Sequence, residues 1–95
     1  MAAYIVVMTG EISNPVLMSQ YKEQAKELLT EQGISFHAGP VIAESLEGSA
    51  PNAAVIIRFE TLEQAQNWYR SDEYQKIAPM RLSASSSTAF IVEGP

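Results

Sequence analysis

The sequence contains no cysteine at all. That excludes disulfides, thiolate metal sites and a cysteine nucleophile, and it fits a reducing, cytosolic compartment. Histidine occurs once and tryptophan once. With no second His, no Cys and no His-x-x-Glu spacing, the usual metal-site patterns are missing. Positive charge is scarce: six Lys and Arg stand against eleven Asp and Glu, for a formal net charge of −5. An acidic chain repels phosphate backbones and anionic lipid, so neither nucleic acid nor a membrane surface is an expected partner. No apolar run approaches the ~20 residues that span a bilayer. The first eight residues carry no basic segment before a strand pattern, so no signal peptide is expected there. Gly-x-Gly-x-x-Gly, P-loop and Gly-x-Ser-x-Gly patterns are missing too, and no Ser/His/Asp order suggests a triad. No cofactor is expected on these grounds.

What is present is apolar patterning at 46% of 95 residues, the content of one small globular domain spanning 1–95. Ala3 to Thr9 is apolar on both alternating faces, the mark of a strand in mid-sheet covered on both sides. Asn14 and Pro15 suit an N-cap and a first helical position. Leu17, Tyr21, Ala25 and Leu28 then form one stripe of an amphipathic helix, which Gly33 ends. Phe36 to Glu44 reads as a second strand whose Gly39–Pro40 interruption places it at an edge or at a bulge. Glu47 to Asn52 is turn-rich. Ala54 to Phe59 is a third strand, again apolar on both faces except at Arg58.

Thr61–Leu62–Glu63–Gln64 has the form of a capping box. It precedes a helix with Leu62, Ala65, Trp68 and Tyr69 on its buried side. Ser71–Asp72 suits the cap of a further short helical turn through Tyr74 and Ile77, which Pro79 ends by displacing Ala78 from helical geometry. Met80 to Ser87 reads as an irregular, serine-rich connection, and Thr88 to Glu93 as the last strand. The order β-α-β-β-α-β is the α+β, ferredoxin-like arrangement: an antiparallel four-stranded sheet, order 4-1-3-2, with both helices on one face. The opposite face then needs a cover, and a second copy of the chain supplies it most simply. A homodimer is the expectation.

The run Phe59-x-x-Leu62-Glu63-x-Ala65-x-x-Trp68-Tyr69-x-Ser71-x-Glu73-Tyr74, with Arg81 and the closing Val92–Glu93–Gly94, resembles domain-of-unknown-function family 1330. So do the Asn14–Pro15…Tyr21 helix start and the Leu46–Glu47–Gly48 turn. The resemblance implies a dimeric α+β barrel, a superfamily that includes cofactor-free monooxygenases, isomerases and haem-handling proteins. It implies a fold and an assembly rather than a reaction. The chain departs from an Arg-Gly-Gly run many members share near the end of the second strand; here the stretch reads Ala38–Gly39–Pro40.

Five residues carry candidate chemistry. His37 suits acid–base catalysis, or haem ligation by a single residue, although a lone strand histidine is commonly structural. Arg58 must find an anion: a carboxylated ligand, or an ion pair with Glu44, Glu60 or Glu93. Arg81 is a ligand-holding candidate through its resemblance to the family's pattern, or else a brace paired with Asp72 or Glu73. Trp68 and Tyr74 can line a pocket with their polar tips or simply fill the core. The leading functional expectation is a homodimeric small-molecule-binding or stress-related domain. The alternatives are a cofactor-free enzyme acting on a small carboxylated or phenolic compound, and a purely structural or interaction module.

Overall fold

A computed structural model describes residues 1–41 and 43–95, with the side chains of Pro40 and Val41 left out of the description. The elements run β1 (Ala2–Ile12), α1 (Pro15–Glu31), β2 (Phe36–Val41), β3 (Ala53–Phe59), α2 (Leu62–Arg70), α3 (Asp72–Ala84) and β4 (Ser85–Gly94). The four strands form one antiparallel sheet in the order β2-β3-β1-β4. This is the ferredoxin-like arrangement expected from the sequence, with a full third helix added.

Register fixes which residues share a face. Ile5 lies between Ile57 and Ile91, and Val7 between Val55 and Ala89. Side chains alternate along each strand, so these residues point together toward the helices. Ala3, Ile5, Ile57 and Phe59 are buried there with Ala25 and Leu29 of α1, Ala65 and Trp68 of α2, and Tyr74, Ile77 and Ala78 of α3. The opposite face carries Tyr4, Val6, Met8, Ile56, Phe90 and Val92. Among the described residues no helix packs over it, and Phe90 and Val92 remain 41% and 45% exposed. The Cα trace is 17 Å through its thinnest dimension, the depth of one helix layer on one sheet.

Local chemistry explains the helix starts. The Asn14 side chain accepts a hydrogen bond from the Leu17 amide at 3.1 Å, with Pro15 at the first helical position. The Thr61 hydroxyl accepts from the Gln64 amide at 3.1 Å, and the Gln64 side chain accepts from the Glu60 amide at 3.1 Å. The capping box therefore closes one residue earlier than its usual reciprocal bond to the cap residue itself. Gly33, at φ 69°, ends the first helical segment in the left-handed region that glycine enters without cost. Strand β2 lies at the sheet edge and slips register on both sides of Ala38, so it is both edge and bulge. Its expected continuation to Glu44 is not found: Ala43 and Glu44 lie outside any strand, and Ile42 lies outside the described residues.

The main departure from the sequence reading is at Pro79. Helix α3 passes through it and continues to Ala84, and β4 begins directly at Ser85. The irregular Met80–Ser87 connection does not exist. Proline removes one N–H and crowds one carbonyl, here that of Gln75 four residues back. Both Pro79 and Gln75 are exposed, so water can serve that carbonyl. On the other side of the helix, Tyr74, Ile77, Ala78, Arg81 and Ala84 are all buried, and this packing keeps the segment helical through the defect.

Candidate functional site: a cavity between helices and sheet

A cavity of about 380 Å3 opens between α1 and the helix-facing side of the sheet. Ile5, Val7, Ile57, Met18 and Leu29 give it an apolar wall, and Trp68, Tyr69 and Phe36 contribute aromatic rings. Its size falls at the lower end of the range for small-molecule sites. The polar groups are few: Tyr21, Tyr74 and Arg81, with Thr9, Lys22 and Lys26.

Arg81 is the unusual member. It is 2% exposed, the one charged residue among the buried ones described. Its Nη1 donates to the Ser87 hydroxyl of β4, and its Nε has no hydrogen-bond partner. It makes no ion pair with Asp72 or Glu73; among the described residues the only ion pair is Arg58–Glu60. All eleven acidic side chains are exposed. An unpaired charge removed from water costs several kcal/mol in real proteins. Burial works against the Arg81 charge while the neighbouring hydroxyls of Tyr74, Tyr21 and Tyr69 favour it, and the balance raises its pKa further. Arg81 is a permanent cation.

The hydroxyls of Tyr21 and Tyr74 are hydrogen-bonded to each other at 2.8 Å. Burial pushes the Tyr21 phenol well above its ordinary range; Tyr74 adds to this, and Arg81 opposes it in part. Tyr21 is therefore neutral at physiological pH, a donor rather than a phenolate. The ring of Tyr74 packs against Trp68, with centroids 4.5 Å apart, and against Tyr69 at 5.4 Å. The Trp68 indole N–H donates to Gln32 Oε1 at 2.7 Å, which fixes the ring in the wall.

The five candidates thus separate. Arg81, Trp68 and Tyr74 come together in the cavity. Arg58 does not: it lies on the other face of the sheet, exposed, and pairs with Glu60 at 2.8 Å. His37 is also exposed there, edge-on to Tyr4 with ring centroids 5.2 Å apart. Neither His37 nor Arg58 lines the cavity. Among the described residues no cluster of three His, Cys, Asp or Glu side chains could hold a metal ion, and no helix is long and apolar enough to cross a membrane.

Tyr21 lines the cavity, and Ser87 stands behind it as the hydrogen-bond partner of Arg81. Tyr21 sits on the apolar stripe of α1 and carried a signal in that position. Ser87, expected in a loop, lies on β4, and the alternation of Ile91 and Ala89 extended back by two residues places it on the helix-facing side.

A one-sided α/β sandwich with a ligand-sized cavity between its layers defines the class: a ferredoxin-like α+β domain. More narrowly, the chain belongs to the family described as domain of unknown function (DUF1330), whose model matches residues 2–95. No curated protein matches it. Solved structures share the fold at low identity. A dimeric ferredoxin-like protein of unknown function from Jannaschia sp. CCS1 aligns with TM-score 0.74 and 14% identity, covering 99% of this chain and 100% of that one. A dimeric protein of unknown function and ferredoxin-like fold from Bacteroides fragilis gives TM-score 0.65 and 18% identity over 98% and 95%. An ethyl tert-butyl ether d (ethd) family protein from Bacillus halodurans gives 0.69 and 13% over 100% of both chains.

Proposed function

We propose that this protein is a homodimeric small-molecule-binding domain in which each subunit encloses its ligand between helices and sheet. The observation that carries the reading is the cavity of about 380 Å3 with a buried arginine in its wall. A structural module has no need of such a space, because interiors are normally packed to crystal-like density and unfilled volume costs stability. The cavity also argues against a purely interaction-based role.

The homodimer rests on the open face of the sheet. Val6, Met8, Ile56, Phe90 and Val92 form an apolar surface over which no described helix packs, and a second copy covers it with the same surface about a two-fold axis. Structural neighbours described as dimeric support a dimer. The absence of cysteine supports a cytosolic location, and the net charge of −5 argues against nucleic acid as a partner.

Trp68 makes the binding reading directly testable. It is the only tryptophan, and it lines the cavity. Occupancy by a small apolar compound should alter its emission and raise the melting temperature. A panel of neutral and charged single-ring compounds that leaves both unchanged at millimolar concentration would overturn the proposal.

One observation favours a second reading, a cofactor-free enzyme. The paired hydroxyls of Tyr21 and Tyr74 share the cavity with the Arg81 cation. Fixed donors and a buried charge of this kind stabilise an oxyanion developing on a substrate. Acid–base chemistry by His37 is not part of this reading, since His37 lies across the sheet from the cavity. Product formation from a bound compound, followed by proton NMR, separates an enzyme from a binding protein.

A further inference from the structure

We infer that the ligand is a small monocarboxylic acid with an apolar body, its carboxylate received by Arg81, Ser87 and the Tyr21–Tyr74 pair. This rests on the cavity being a binding site and adds the charge and polarity of what enters it.

Hydrogen-bond donors outnumber acceptors around Arg81. Arg81 is buried and cationic, its Nε–H has no partner, and no acidic side chain of the chain is buried to neutralise it. Ser87 Oγ accepts from Arg81, which leaves its own hydrogen to be given elsewhere. Tyr21 and Tyr74 share one hydrogen bond between two hydroxyls, so one of the two O–H hydrogens remains to be donated. The described side-chain hydrogen bonds provide no acceptor for any of these hydrogens apart from the shared tyrosine bond. The Tyr21 phenol stays protonated, as its burial and its contact with Tyr74 require. One fixed positive charge and several unspent donors call for a single negative charge bearing several lone pairs. A carboxylate meets this description: its two oxygens offer about four acceptor sites and match the planar edge of a guanidinium.

The rest of the wall sets the body of the molecule. It is hydrocarbon and aromatic, and the lysines that also line the cavity, Lys22 and Lys26, are exposed on successive turns of α1 and remain hydrated. A second buried anionic group would therefore be left without a partner, so the acid is monobasic. The volume suits one ring with a short chain better than a fused multi-ring cofactor. The two lysines act earlier, drawing anions toward the opening of a chain whose net charge repels them.

The test compares acids with their neutral isosteres. Benzoate, phenylacetate and 3-phenylpropionate would be titrated against wild-type dimer alongside the corresponding amides, with Trp68 emission and melting temperature as readouts. The expected result is tighter binding of at least one acid than of its amide by ten-fold or more, a preference removed in Arg81→Met. Should Arg81→Met fail to fold, Tyr21→Phe and Ser87→Ala take its place; each should weaken the acid several-fold and narrow the gap between acid and amide. Equal binding of acid and amide overturns the carboxylate inference while leaving the cavity a binding site. Binding of neither overturns both.

Discussion

The hydroxyls of Tyr21 on α1 and Tyr74 on α3 meet at 2.8 Å inside the cavity, the one side-chain hydrogen bond observed between those two helices. It joins the helix before the β2–β3 pair to the second of the two helices after it. Replacing Tyr21 by phenylalanine removes the bond while keeping the ring. The expected cost is about 1 kcal/mol, the usual net value of such a bond. Urea denaturation at pH 7 measures it.

The same pair gives the stability a pH dependence. In the folded chain the Tyr21 pKa is raised above its ordinary value of 10.0 by burial first and by Tyr74 second. A phenol is neutral when protonated, so below pH 10 both folded and unfolded forms hold the proton and the full stability is present. As pH rises past the unfolded value, the unfolded chain ionises and the folded one does not. Stability should then fall by roughly 1.4 kcal/mol per pH unit until the folded pKa is passed. Tyr21→Phe should show a shallower decline between pH 10 and 11 than the wild type. Parallel declines in the two proteins would contradict the burial of the Tyr21 hydroxyl.

Thr61→Ala removes the hydroxyl that accepts from the Gln64 amide. The loss should be about 1 kcal/mol. Part of the cap survives, because the Gln64 side chain still accepts from the Glu60 amide. Thr61→Ala combined with Gln64→Ala should therefore cost more than Thr61→Ala alone, measurable as a further drop in melting temperature.

How far the sequence spoke depends on whether neighbours agree with one another. Strand pairing was legible, because Ala3 to Thr9 and Ala54 to Phe59 repeat the same two-faced pattern and two such strands belong at the centre of a sheet. Helix α3 was not legible, because one residue contradicted its surroundings. Tyr74, Ile77, Ala78 and Arg81 follow the i, i+3, i+4, i+7 spacing of a buried helical face. That pattern alone would have carried the helix past Pro79 and put Arg81 on its inner side. The proline argued locally for a break, but tertiary packing of that face outweighed the loss of one hydrogen bond. The placing of Arg58 and His37 apart from the cavity was not legible, for a different reason. Chemistry-bearing residues on a strand can point to either face, and only the register places these two on the sheet surface away from the cavity.

The proline yields its own prediction. Pro79→Ala restores an N–H able to bond the Gln75 carbonyl and removes the ring's crowding of it. An interior helical proline costs up to ~3 kcal/mol relative to alanine, less what it saves by restricting the unfolded chain. Pro79→Ala should therefore raise the melting temperature with no change in cavity binding, since Pro79 is exposed and lines no part of the cavity. A lower melting temperature would mean that the proline shapes α3 rather than interrupting it.

The last prediction concerns the bare face of the sheet. A permanent two-fold interface of this kind should bury roughly 2,000 Å2 or more in total. Phe90 lies near its middle, on β4 opposite Val6 of β1, and is 41% exposed in the single chain. Phe90→Glu places a carboxylate there in both copies. Two like charges would then be desolvated against apolar side chains, a cost no nearby cation offsets along β4. Sedimentation velocity at low micromolar concentration should show a dimer for the wild type and a monomer for Phe90→Glu. The cavity lies on the opposite side of the sheet, so the monomer should retain the emission spectrum of Trp68 if the chain folds without its partner. A wild type that sediments as a monomer would remove the second copy as the cover for this face, and with it the reason that Val6, Met8, Ile56 and Phe90 are apolar.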